Sequence, residues 1–125
     1  MEERHTGLSE NEWYIMQVLW KKSPRSLREI CEALKPVKGW TRHAVISFLK
    51  RMEVKGAVGV DESGKVKEYR ALWDQEKTVR EETDSLLQRV YGGNLMLMVS
   101  NAVKGQELTE GERNQLRQLL EEMED

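Results

Sequence analysis

The sequence predicts a mainly α-helical protein with a small β-hairpin, and two observations support this. Three short segments with apolar residues at helical spacing come first, and a short alternating stretch with a turn follows them. From Asp74 onward the pattern is helical alone. We therefore expect a winged helix-turn-helix domain at residues 1–73 and a three-helix domain at residues 74–125.

The first helix is predicted from about Glu10 to Lys21. Ser9 and Glu12 form a capping box, in which the two side chains satisfy backbone amides that have no partner inside the helix. Pro24 ends the segment, because proline supplies no amide and disfavours helical geometry in the preceding residue. The apolar surface of this helix consists largely of Trp13, Met16, Leu19 and Trp20.

The second and third helices are also predicted from residues that cap and end them. A capping box at Ser26 and Glu29 starts the second helix, and Pro36 stops it. Thr41 is the predicted N-cap of the third helix, and Gly56 ends it. The core-facing residues are Leu27, Ile30, Cys31 and Leu34 on the second helix and Val45, Phe48, Leu49 and Met52 on the third.

A two-stranded wing is predicted after the third helix. Residues 57–60 and 66–72 alternate in polarity and flank a turn that contains Gly64. Lys65 and Lys67 lie near the tip, where they can reach DNA phosphates or the minor groove. The side chains expected to cover the helical core are Val58, Val60, Val66 or Tyr69.

The last three helices predict a homodimer. A helix of roughly 17 residues begins near Asp74, the segment Tyr91-Gly92-Gly93-Asn94 breaks it, and a capping box at Thr109 and Glu112 opens the last helix. The helix between them, residues 95–103, is apolar on all sides, and two flanking helices of one chain can hardly cover it. The candidate dimerisation residues are Leu86, Leu87, Val90, Leu95, Leu97, Met98, Val99, Ala102, Leu116, Leu119 and Leu120.

The two halves differ in charge. Residues 1–73 carry 14 Lys/Arg against 10 Asp/Glu, and residues 74–125 carry 6 against 12. Between residues 21 and 70 the balance is 13 against 6, a net charge of +7. Phosphate contact is therefore expected in the first half, and protein contact in the acidic second half.

The third helix is the predicted DNA reader. Its outward side is basic and polar, and its position before a wing is typical of a helix that enters the major groove. His43 can donate to a guanine or a phosphate, and Ala44 and Ile46 can touch a thymine methyl group. Arg25, Lys38 and Lys55 are further candidates for phosphate contact. The main candidate DNA-binding residues are Thr41, Arg42, His43, Ala44, Ile46, Ser47, Lys50, Arg51, Arg28, Lys65 and Lys67.

Other functional classes find little support in the sequence. One cysteine, Cys31, and two distant histidines, His5 and His43, make a multidentate metal site unexpected, and no cofactor is implied. No nucleophile, zinc-protease or phosphate-loop motif indicates an enzyme. Without a long apolar run or a signal-peptide pattern, we expect a cytoplasmic protein with no membrane insertion. The tryptophans Trp13, Trp20, Trp40 and Trp73 are interpreted as packing residues, not as a ligand cage.

Four segments together resemble the penicillinase and methicillin-resistance repressor family, the BlaI/MecI type. They are LSENEWYIMQVLW, GWTRHAVISFLKRMEVKGAVG, the VYGG break and ELTEGERNQLRQLLEEM, and the resemblance extends over about residues 8–123. It implies a homodimeric winged-helix repressor that binds a palindromic double-stranded operator ahead of resistance or stress genes. It also implies relief of repression by a membrane sensor protease that cuts within the C-terminal domain.

The resemblance places the cleaved bond between Asn101 and Ala102 in the short apolar helix. Well-studied members of the family have phenylalanine after this asparagine, whereas this chain has Ala102. The reading helix also differs, since the family often has Ser-Pro-Lys-Thr where this chain has Thr41-Arg42-His43-Ala44. The operator sequence therefore does not follow from the resemblance.

Two alternative functions remain open at the level of sequence. The winged helix can serve as a protein-interaction module, in which the third helix contacts a protein partner. The chain can also be a direct small-molecule sensor, with a pocket between the halves near Trp73 and Tyr91.

Overall fold

Six helices and three short strands follow one another in residues 7–124, the part of the chain that the computed structural model describes. The N-terminal elements are α1 Glu10–Lys21, β1 Arg25–Ser26, α2 Leu27–Leu34, α3 Arg42–Lys55, β2 Val58–Asp61 and β3 Glu68–Ala71. Three more helices complete the chain: α4 Gln75–Arg89, α5 Leu95–Lys104 and α6 Glu110–Glu122. The predicted fold class, mainly α with a small β-wing, is confirmed.

The chain divides into two compact units, of which the first ends at Asp84 and the second begins at Ser85. This division falls inside α4, whereas the predicted domain boundary between residues 73 and 74 lies just before that helix. As a functional boundary, the break at residues 73 and 74 stays a prediction.

The predicted helix caps are present. Ser9 with Glu12, Ser26 with Glu29 and Thr109 with Glu112 each form a complete capping box. These pairs fix where three of the helices begin, because each satisfies backbone amides at the first turn.

The third helix is capped at both ends. Thr41 accepts a hydrogen bond from the amide of Ala44 at 3.1 Å. Gly56 follows the last turn of α3 with a φ of +83°, in the left-handed region where glycine has no steric penalty. Both ends of α3 are therefore set by local chemistry.

The core of the first unit forms where α1, α2 and α3 meet the sheet. The predicted apolar stripes supply most of it, and Phe48 and Cys31 lie at its edge, half-buried. The fully buried apolar side chains are Ile15, Met16, Leu19, Ile30, Leu34, Val45, Leu49, Met52, Ala57, Val58 and Tyr69.

The sheet has three antiparallel strands in the order β1-β3-β2. The predicted hairpin is confirmed as β2 and β3, with Val60 opposite Tyr69. The expectation of only two strands was wrong, because Arg25 and Ser26 pair with the other edge of β3. A strand of two residues between two helices is too short to show alternation. Val66 also departs from expectation, since it lies in the turn and is 60% exposed.

Two polar contacts join the C-terminal end of α1 and the residues just after it to the end of the wing. The hydroxyl of Ser23 donates to the carbonyl of Leu19 and accepts a hydrogen bond from the amide of Ala71 at 3.3 Å. The indole nitrogen of Trp20 donates to the carbonyl of Trp73 at 2.9 Å. Both contacts hold the end of β3 against α1.

An ion pair joins the beginning of α1 to the end of α3. The side chain of Glu12 is 1% exposed. Its carboxylate accepts a hydrogen bond from the backbone amide of Ser9 at 2.9 Å and pairs with the ammonium group of Lys55. Lys55 also donates to the carbonyl of Gly7 at 2.6 Å. The charge of Lys55 is thus held by a buried carboxylate in the free chain, and its contact with DNA phosphate stays a prediction.

The second unit contains α5, α6 and the end of α4. Gly92 and Gly93 have positive φ values in the predicted break. Asn94 caps α5, because its side-chain oxygen accepts a hydrogen bond from the backbone amide of Leu97 at 3.0 Å. No side chain of α5 or α6 is buried within the chain. Their large apolar residues stay accessible, with Leu119 52% and Leu120 63% exposed.

Replacing Lys55 with methionine should lower the free energy of unfolding by about 3 kcal/mol, because it leaves the buried carboxylate of Glu12 without its counter-charge. Urea unfolding followed by tryptophan fluorescence measures this loss. Glu32→Gln is a control, since the exposed pair of Glu32 with Arg28 should contribute less than about 0.5 kcal/mol. A loss for Lys55→Met as small as that of the control would contradict the role of the pair.

Candidate nucleic-acid interface

Helix α3 has one side in the core and the other exposed. Val45, Leu49 and Met52 are buried, at a spacing that puts them on one face. The predicted contact residues Arg42, His43, Ser47, Lys50 and Arg51 are exposed. Ala44 and Ile46 were expected to face outward, but both are half-buried at the margin of the exposed side. Their partial burial gives a structural reason for apolar side chains there.

An aromatic group holds the beginning of α3 against α1. The ring of Trp40 lies edge-on to Phe48 at 5.0 Å between centroids and to Tyr14 at 6.3 Å. Trp13 and Trp20 form a second pair at 6.0 Å. The interpretation of these tryptophans as packing residues agrees with these contacts, and Trp40 packs directly before the start of α3.

Two cations, the half-buried Lys38 and the exposed Arg51, lie over rings of this aromatic group. The ammonium group of Lys38 lies 4.6 Å from the centroid of Tyr14, and the guanidinium of Arg51 lies 5.5 Å from that of Phe48. Arg51 also donates to the hydroxyl of Ser47 at 3.5 Å. Such contacts restrict the side chains while leaving the positive charges accessible.

A cleft of about 390 Å³ separates α3 from the wing. Apolar and charged side chains line it together, and five of its six charged residues are basic. It brings six of the predicted DNA-binding residues together, whereas Thr41, His43, Ala44, Ser47 and Arg51 do not line it. The cleft is lined by Leu27, Arg28, Arg42, Ile46, Lys50, Glu53, Lys65, Val66, Lys67 and Tyr69.

Sequence patterns did not place Glu53, Leu27, Val66 or Tyr69 in this cleft. Glu53 lies three positions after Lys50 and seven after Ile46 on the same helix, so helical spacing could have placed it on the same side. The position of Leu27 could not be predicted in this way, because it depends on how α2 packs against α3.

The turn of the wing is stabilised by its own side chains. Asp61 accepts hydrogen bonds from the amide of Ser63 at 2.9 Å and from its hydroxyl at 2.7 Å, and these bonds lower the pKa of the Asp61 carboxyl. Lys67 lies 4.0 Å from the carboxylate of Glu62, and both side chains are exposed. Such a loose pair leaves Lys67 available to another anion.

Residues 8–122 match the sequence profile of the penicillinase repressor family. The chain belongs to this family. It is 31% identical to the penicillinase repressor of Bacillus licheniformis over 92% of this chain and 90% of that one. It is 24% identical to the methicillin resistance regulatory protein MecI of Staphylococcus aureus strain N315, over 96% of this chain and 98% of that one.

Solved structures agree with the fold of this penicillinase repressor family member. The DNA-binding domain of the repressor BlaI, studied in solution, is similar with a TM-score of 0.51 and 26% identity, over 59% of this chain and 90% of that one. The YusO protein from Bacillus subtilis is similar with a TM-score of 0.53 and 16% identity, over 94% of this chain and 75% of that one. The YusO likeness shows a shared fold only.

Cys31 of this family member borders a second cavity of about 310 Å³, near the turn between α2 and α3. Burial raises the pKa of the Cys31 thiol, and the neighbouring guanidinium of Arg42 lowers it by less. A raised pKa reduces the thiolate fraction near neutral pH, which favours the structural interpretation of Cys31 over a redox switch.

Neither a metal-ligand cluster nor a membrane-spanning helix is found in residues 7–124. These residues contain no cluster of three or more His, Cys, Asp or Glu side chains that could hold a metal ion, and His5 lies outside them. None of the helices in this part of the chain is both long and apolar enough to cross a membrane.

Proposed function

We propose that this protein is a dimeric, sequence-specific DNA-binding transcriptional repressor that acts on a palindromic operator. The observation that carries the proposal is the basic cleft between α3 and the wing, in a chain that belongs to the penicillinase repressor family. The similar BlaI domain is described as DNA-binding, which supports the same role for the first unit here.

The proposed roles follow from position. The N-terminal half of α3 enters the major groove, where Arg42, His43 and Ser47 can donate hydrogen bonds to bases or phosphates. Ala44 and Ile46, at the margin of this surface, can touch thymine methyl groups. The remaining contacts are to phosphates. They come from Lys50 and Arg51 on α3, from its N-cap Thr41, from Arg28 on α2, and from Lys65 and Lys67 on the wing.

Replacing Lys50 with alanine should weaken binding to every DNA sequence. The loss of one phosphate contact should reduce the slope of log K against log salt by about one unit. Gel-shift titrations of the full chain measure this, with a duplex from the gene's own promoter and a random duplex, each at several salt concentrations.

Lys21→Ala is the matched control, because Lys21 is exposed at the end of α1 and does not line the cleft. If Lys50→Ala leaves the salt slope of the wild type unchanged, phosphate contact does not involve Lys50. If the wild-type chain binds neither duplex at low salt, the repressor proposal fails, and a protein-interaction module becomes the better explanation.

The proposed dimer rests on exposed apolar surface in the second unit. Val90, Leu95, Leu119 and Leu120 are each at least half exposed, and seven of the ten residues of α5 are apolar. A second copy can cover such surface, and two-fold symmetry would match the symmetry of a palindromic operator. The dimerisation residues named from the sequence all remain candidates.

Leu120→Arg should convert the dimer into a monomer, because it places a charge in the centre of this apolar surface. Sedimentation equilibrium of the full chain measures the change, and the promoter duplex should then bind more weakly because two half-sites are no longer linked. Val37→Arg is the control for oligomeric state, since Val37 is 60% exposed in the first unit. A Leu120→Arg chain that stays dimeric would place the interface elsewhere.

We also propose that a sensor protease relieves repression by cutting the Asn101–Ala102 bond. Both residues are exposed on α5, and the side-chain amide of Asn101 donates a hydrogen bond to the hydroxyl of Tyr91 at 3.5 Å. The cut would separate α6, with Leu116, Leu119 and Leu120, from the first unit. Loss of these residues would weaken the dimer and release the DNA.

Induction in cells that carry a sensor protease beside this gene should produce a fragment that ends at Asn101. Mass spectrometry of the purified fragments identifies the bond. An Asn101→Pro chain, in which the residue before the cut is changed, should stay intact under the same conditions. Induction with no fragment, or with a cut at another bond, would contradict this route of relief.

A further inference from the structure

Glu53 is the single carboxylate among the described residues, 7–124, that line the cleft between α3 and the wing. It lies on α3, one turn after Lys50 and two turns after Ile46, so all three side chains lie on the side that faces the wing. Five basic residues line the same cleft. An acidic side chain in this place is unexpected for a surface that binds polyanions.

The charge of Glu53 is not neutralised by a fixed partner. Its side chain is exposed and makes no hydrogen bond or ion pair with the described part of the chain. The nearby Lys67 is instead within 4.0 Å of Glu62. The carboxylate of Glu53 therefore faces the cleft as a free negative charge.

The charge of Glu53 acts on the pKa of Tyr69, which also lines the cleft. Burial raises the pKa of the Tyr69 hydroxyl most, Lys67 lowers it, and the negative charges of Glu53 and Glu62 raise it further. Glu53 thus disfavours a second negative charge at Tyr69, a lining residue of the cleft. A phosphate group that enters the cleft meets the same repulsion.

The proposed docking brings phosphates to this place. When a helix occupies the major groove and a wing reaches the adjacent minor groove, the DNA strand that separates the two grooves must pass between them. Here this strand would pass over the cleft. Glu53 lies in the C-terminal part of α3, whereas base contacts in such motifs come mainly from the N-terminal part of the helix.

We propose that Glu53 weakens DNA binding independently of sequence, by repelling the backbone strand that crosses the cleft. This inference rests on the proposed DNA-binding function and assigns one residue a role opposite to that of its neighbours. The repulsion lowers the affinity of each half-site and of bulk DNA alike. Stable occupancy of an operator then depends more strongly on dimerisation, which links two weak contacts.

Glu53→Gln tests the proposal in the full-length protein. At roughly 50 mM salt it should bind both the promoter duplex and a random duplex of equal length about three- to tenfold more tightly than the wild type. At roughly 500 mM salt the difference should fall below about twofold, because the Debye length becomes short. Glu53→Asp, which keeps the charge, should bind much like the wild type.

Glu81→Gln is the matched control. It makes the same change in net charge on an exposed position of α4 and does not line the cleft, so it should change both affinities by less than about twofold. Thermal unfolding of each variant verifies that the fold is unchanged. Equal tightening for Glu53→Gln and Glu81→Gln would show an effect of net charge alone and would overturn the proposal.

The remaining outcomes are equally distinct. Unchanged affinity of Glu53→Gln for both duplexes would mean that Glu53 does not face the DNA backbone. Loss of affinity for the promoter duplex alone would show that Glu53 accepts a hydrogen bond from a base, such as the amino group of cytosine. In both cases the wild type still binds DNA, so the proposed function stands while this inference falls.

Discussion

The ion pair between Glu12 and Lys55 is the contact on which the geometry of the first unit depends. It joins the first turn of α1 to the last turn of α3, and the carboxylate of Glu12 is almost completely buried. Since a buried charge without its partner is strongly destabilising, this contact tolerates little displacement. At the other end of α3, Trp40 packs against Tyr14 and Phe48. The helix is thus held at both ends while its outward side stays free.

A helix held in this way defines what the cleft beside it can bind. The cations Arg42 and Lys50 on α3 and Lys65 and Lys67 on the wing line one cleft, and Glu53 opposes them. Arg42, Lys50 and Glu53 lie on α3, and Lys65 and Lys67 lie in the loop between β2 and β3, so the fold of the free chain already brings these charges together. Under the proposed function, affinity is a balance of attraction and repulsion set by the fold, and not a sum of attractive contacts alone.

The second unit has the opposite character. Its helices are well capped, yet none of the side chains of α5 or α6 is buried within the chain. The proposed dimer would cover this apolar surface with a second copy. A reading head that binds weakly and a dimer that links two such heads would allow regulation through the second unit without any change in the first.

Much of the fold could be predicted from the sequence, because helix caps and apolar stripes are local. Ser9, Ser26, Thr41 and Thr109 marked the beginnings of four helices, and Gly56 marked the end of α3, since each acts on amides or carbonyls a few residues away.

The tertiary structure alone decided three features of this protein. Each of them joins residues that are distant in the chain. Arg25 pairs with β3, Glu12 is buried against Lys55, and Arg28 and Glu53 line one cleft with the wing. Periodicity identifies the side of a helix that is buried, but not which residues of another element lie opposite it. The sequence by itself therefore determined the six helices, the hairpin and the basic outward side of α3. The packing of those elements decided which charges are neutralised, as at Lys55, and which remain free, as at Glu53.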